Sequence, residues 1–123
     1  MNLAIKKFTL QWLPVLVWMV LIFTLSNHST LPGPQVYLWD YIFKKLAHII
    51  FFGFLFFLFA RALNWNHKLQ NWTFVWAFIF TILYAFSDEL HQSITPGRHS
   101  QLTDVGYDTL GAAIMYLKLI RLI

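Results

Sequence analysis

No cysteine occurs in the 123 residues, which excludes disulfides, thiolate metal ligands and thiol nucleophiles together. Charge is scarce too. Only 11% of residues are Asp, Glu, Lys or Arg, and five acids face nine bases. The bases are scattered, with no run longer than two and no alternation with aromatics, so no nucleic-acid partner is expected. No low-complexity linker or internal repeat interrupts the chain, and a single domain over residues 1–123 is expected. Neither a P-loop, nor G-x-S-x-G, nor H-E-x-x-H is present, which removes the best-marked routes to phosphoryl, acyl and metalloprotease chemistry.

Apolar side chains fill the space that charge leaves. Hydrophobic residues make up 59% of the chain, the mean hydropathy is +0.58, and thirteen Phe and six Trp bring the aromatic share to 20%. That composition fits a membrane-embedded protein, because Phe suits lipid-facing surface and Trp and Tyr favour the interface. The expected fold is an all-α, four-transmembrane-helix bundle with helices near 8–25, 46–63, 72–91 and 104–120.

The first run follows Lys6 and Lys7 but ends Thr-Leu-Ser-Asn-His without an A-x-A site, so it reads as an uncleaved helix bent at Pro14. Pro32, Gly33 and Pro34 predict a loop. Residues 36–43, with Tyr37, Trp39 and Tyr41 around Asp40, suit a segment lying in the headgroup layer. Lys45 and His48 then share a face of the second helix's first turn, and Gly53 is the one point of close approach in its Phe-rich body. Pro96-Gly97 predicts a turn and Thr103 a cap for the fourth helix. Asp104, Asp108, Gly111 and Met115 form one stripe of that helix.

Basic residues set the orientation. Lys6, Lys7, Arg61, Lys68, Lys118 and Arg121 fall on one side, Lys44, Lys45 and Arg98 on the other, so both termini are expected on the cytoplasmic side of the membrane. The start of helix two, the end of helix three and the start of helix four then meet at the outer leaflet.

Residues 87–111 hold four of the five acids and end up at that meeting point. A charge at the centre of a membrane helix disfavours insertion by about 2.5–3.5 kcal/mol, so charges kept near apolar runs have partners and often a task. Tyr84, Asp88 and His91 point together at i, i+4 and i+7, with Glu89 and Gln92 as a rotated second pair. Three readings stay open. The polar residues can fix helix packing alone. They can bind a membrane lipid or lipid-linked cell-wall precursor headgroup, through Lys45, His48, Asp88, Glu89, His91, Gln92, Arg98, Asp104 and Asp108. Or they can hydrolyse lipid-linked phosphate, with Asp88, Glu89 and His91 as catalytic candidates and His48, Asp88, Glu89 and His91 as candidate ligands of a divalent metal ion. A transporter is disfavoured for a four-helix monomer, and a homo-oligomer stays open. His28, His67 and His99 read as solvated, and Gly111 as a packing position.

Lys45-x-x-His48, Ser87-Asp88-Glu89-Leu90-His91-Gln92, Pro96-Gly97-Arg98, Asp104-Val105 and Asp108-x-x-Gly111 are similar in order and spacing to the VanZ-like membrane proteins. The resemblance runs from Ser26 to the C-terminus. It implies a small bacterial multi-pass protein linked to the cell envelope and to low-level resistance to the glycopeptide antibiotic teicoplanin, without implying a reaction. The chain departs from the pattern at Lys44, where relatives often carry Asp, and at Asp108, where they often carry Asn.

Overall fold

The structure, a computed structural model, describes residues 2–26, 37–64, 70–95 and 102–121. These form four helices and, among the described residues, no strand: α1 (Leu3–Ser26), α2 (Tyr37–Leu63), α3 (Asn71–Ile94) and α4 (Leu102–Arg121). Three segments are long and apolar enough to cross a membrane, Leu3–Ser26, Tyr41–Leu63 and Asn71–Ile94. In hydrocarbon every backbone group must be paired within its own segment, which is why these runs are helical from end to end.

The helix ends differ from the apolar runs. α1 begins ahead of Lys6 and Lys7 because Asn2 caps it: its carbonyl accepts from Lys6 N–H at 3.0 Å and its Oδ1 from Ala4 N–H at 3.2 Å. Pro14 lies inside α1 without ending it. The expected in-plane segment 36–43 is not separate. From Tyr37 onward it is the start of α2, since no Gly or Pro intervenes before Gly53 and propagating a helix is far easier than nucleating another. Lys45 and His48 therefore sit about two turns inside α2, not in its first turn. α3 continues past His91 to Ile94, where Ser93 Oγ donates to the Leu90 carbonyl (2.6 Å) and Thr95 Oγ1 to that of His91 (2.8 Å). Thr103 falls inside α4 rather than ahead of it. The expected loop at 32–34, the turn at 96–97, and Arg98, His28, His67 and His99 lie outside the described residues.

α2 is the central helix. Phe52, Leu55, Phe56, Phe59 and Ala62 are buried on it, and they meet Phe74, Ala77 and Ala85 of α3 and Ala112 and Leu119 of α4. Its closest neighbour is α4. A Cβ built on Gly53 would lie 2.9 Å from the Gly111 carbonyl oxygen, and one on Gly111 would fall on the Ile49 carbonyl oxygen, so two backbones touch where both residues lack a side chain. α1 leans on α2 and, more lightly, on α3. It is tied by side chains reaching across to carbonyl oxygens: Gln11 Nε2 to Ala62, Trp18 Nε1 to Phe51 (2.9 Å), and Tyr84 Oη of α3 to Met19 (2.5 Å).

Candidate functional site

The Gly53–Gly111 contact fixes the register of α2 against α4, and one or two turns away it sets two polar pairs face to face. Lys45 Nζ donates to Asp104 Oδ1, and His48 Nδ1 lies 2.7 Å from Asp108 Oδ1. The i, i+3 spacing on α2 thus meets the i, i+4 spacing on α4. Both pairs are shielded: the side chains of Lys45 and Asp104 are 14% and 9% exposed, and Asp108 is fully buried. Lys45 is also sandwiched, with Nζ 5.1 Å from the Tyr41 ring centroid and 5.2 Å from that of Tyr107, whose hydroxyls are 3.4 Å apart.

α3 completes the cluster. Asp88 is buried and accepts from Gln92 Nε2 at 3.2 Å, one turn further along the same face. One donor atom each from His48, Asp88 and Asp108 lies within 4.8 Å of the other two. A carboxylate oxygen, a second carboxylate oxygen and an imidazole nitrogen at such separations can take a cation or share protons. Asp108 Oδ2 is buried with no hydrogen-bond partner.

One space adjoins the cluster and a second lies further along α1. A cavity of about 30 Å³ is lined by Ile22, Leu25 and Ser26 of α1, Ala47, His48, Phe51 and Phe52 of α2, and Asp88. A larger groove, about 400 Å³, runs between α1 and α3 past Trp12, Met19, Phe59, Phe80, Leu83 and Tyr84, and ends at Ser87. Met19, Ile22 and Ser26 follow one another along a single face of α1, so the groove and the cavity succeed each other along that helix, the groove against α3 and the cavity chiefly against α2.

Of the residues singled out in sequence, Lys45, His48, Asp88, Gln92, Asp104 and Asp108 come together at one end of the bundle. Glu89 is buried and His91 half-buried, but neither belongs to the His48–Asp88–Asp108 group. Gln92 pairs with Asp88, four residues before it, rather than Glu89. His91 stacks on Phe23 of α1, ring centroids 4.3 Å apart at 14°. Arg98 lies outside the described residues. Tyr107 and the role of Tyr41 were missed, although Tyr41 is one turn before Lys45 and Tyr107 three residues after Asp104, spacings that put ring and charge side by side.

A family model described as VanZ/LLP1 matches residues 5–123, essentially the whole chain and including α1. No curated protein and no solved structure matches it.

Proposed function

The chain belongs to the VanZ-like family, and we propose that it binds the phosphate-bearing headgroup of a membrane lipid or lipid-linked envelope precursor at the polar end of its bundle. The observation that carries this reading is the apolar groove between α1 and α3, which reaches Ser87, the residue before the buried Asp88. An acyl or isoprenyl chain suits the groove, and its headgroup would then lie level with Asp88 and His48. Lys45 is already engaged by Asp104, so it shapes the site and is not a free cation for the ligand. In this proposal Arg98 supplies the direct phosphate contact, through its planar fork of donors.

We place the polar end at the outer leaflet, since Lys6, Lys7, Arg61, Lys118 and Arg121 belong to the opposite helix ends. α4 is taken as a fourth span. Its acids turn inward, while Leu110, Ile114, Leu117 and Ile120 stay exposed on its outer face, a stripe suited to lipid. Occupying an envelope precursor there is the route by which we propose it contributes to the teicoplanin tolerance that the family resemblance implies.

Mass spectrometry of lipids retained by the purified protein tests this. Wild type should carry a phosphate-bearing lipid, whose mass separates a phospholipid from a polyprenyl-linked precursor. Leu83→Trp, which fills the groove, and Arg98→Ala should each lower retention about tenfold, as expected for loss of one charge-assisted contact or its equivalent. Equal retention in all three would leave the polar cluster as packing alone. Turnover of the retained lipid would replace binding by hydrolysis.

A further inference from the structure

We propose that His48, Asp88 and Asp108 together hold one divalent cation, Zn²⁺ or Mn²⁺, in the seam between α2, α3 and α4. Each helix contributes one donor, and the three donor atoms lie within 4.8 Å of one another. Metal–ligand distances of about 2.0–2.2 Å put the ligands of a tetrahedral ion about 3.3–3.6 Å apart. Donors within 4.8 Å of one another must therefore close by up to about 1.5 Å, and His48 Nδ1 and Asp108 Oδ1, at 2.7 Å, must part slightly, movements that side-chain torsions supply.

A second observation points the same way. Asp108 is fully buried, its Oδ1 faces His48, and its Oδ2 has no hydrogen-bond partner. A buried carboxylate oxygen in that state carries an uncompensated desolvation penalty. A coordinated ion removes that penalty, whereas the contact with His48 alone does not. The adjoining cavity of about 30 Å³, reached by both His48 and Asp88, has room for a water that would complete the coordination.

The donor set selects the ion. One imidazole with two carboxylates and no thiolate fits Zn²⁺ or Mn²⁺. Ca²⁺ asks for six to eight oxygens, and Mg²⁺ prefers an all-oxygen shell rich in water. With three protein ligands the ion keeps an open position, as catalytic rather than structural sites do. That the open position faces a lipid phosphate rests on the headgroup reading; the binding of the ion does not.

The test is metal content after the purified protein is equilibrated with Zn²⁺ or Mn²⁺ and desalted. Wild type should retain about one ion per chain, and His48→Ala and the near-isosteric Asp108→Asn should lower retention by at least about tenfold. His91→Ala, outside the group, should retain the ion. Pulsed electron paramagnetic resonance of the Mn²⁺-loaded wild type supplies a reading that needs no variant to fold: nitrogen modulation from a directly bound imidazole is expected. A wild type that retains no ion, full retention in both His48→Ala and Asp108→Asn, or Mn²⁺ without nitrogen coupling each overturns the proposal. Lipid retention in the same samples separates the two readings. Metal bound without lipid sinks the headgroup reading and leaves the cation site standing, and lipid bound without metal does the reverse.

Discussion

Lys45 is constrained from three sides, by the Asp104 carboxylate and by the faces of Tyr41 and Tyr107. Removing one member of a shielded pair strands the other charge, whereas removing both does not. Lys45→Met should therefore destabilise the protein by on the order of 3 kcal/mol, and the double variant Lys45→Met/Asp104→Leu by markedly less. Thermal unfolding in detergent reads the difference. Equal losses in the single and double variants would mean that the pair is not formed. At this scale the two halves of the site could be read separately, because Lys45 and His48 share one face by spacing, and Asp104 and Asp108 another. Which acid meets which base could not, since that depends on a sliding register between two helices far apart in the chain. The spacing also set Glu89 and Gln92 on one face of α3, but that Gln92 bonds to Asp88, four residues before it, is settled by side-chain torsions and not by spacing alone.

What settles that register is a property of two elements. α2 and α4 approach until their backbones touch at Gly53 and Gly111, and any slip of one turn would drive a side chain into a carbonyl. α4 contains its own control. Gly111→Ala should destabilise by about 1–3 kcal/mol through enforced separation of the helices, and should also loosen the Lys45–Asp104 and His48–Asp108 pairs. Gly106→Ala meets nothing within 4 Å and should stabilise by about 0.5–1 kcal/mol, from helix propensity alone. Unfolding midpoints of the two variants that move in the same direction would remove the close contact from the account. Both glycines are equally plain in the sequence, and their opposite roles follow only from the face each one occupies. The helix at α4 and its stripe of Asp104, Asp108 and Gly111 were legible by spacing, and the structure buries all three. Averaged hydropathy counts Asp104, Asp108, Lys118 and Arg121 against a span, and only the three-dimensional arrangement sets the inward acids apart from the outward stripe of Leu110, Ile114, Leu117 and Ile120. At 36–43, aromatic residues around an acid describe a headgroup-layer segment and the end of a long helix equally well, so composition could not choose between them.

Taken whole, the molecule is electrically lopsided along its helices. Lys6, Lys7, Arg61, Lys118 and Arg121 occupy the ends away from the cluster, and the buried acids with Lys45 and His48 occupy the other. In the proposed orientation, with Lys and Arg retained on the cytoplasmic side, the cluster would lie outside. This holds for all four helices only if α4 crosses the bilayer. Its 20 residues span about 30 Å at 1.5 Å each, the thickness of the hydrocarbon core. Since the chain has no cysteine, any engineered one is unique, and a membrane-impermeant maleimide reports its side directly. Lys44→Cys and Arg98→Cys should react in intact cells, whereas Lys6→Cys and Lys118→Cys should react only after permeabilisation. Reaction of Lys44→Cys and Lys118→Cys from the same side would show that α4 lies along the membrane and does not traverse it. Lys44→Cys and Arg98→Cys reacting from opposite sides would separate Arg98 from the cluster, and no outer headgroup could then touch both.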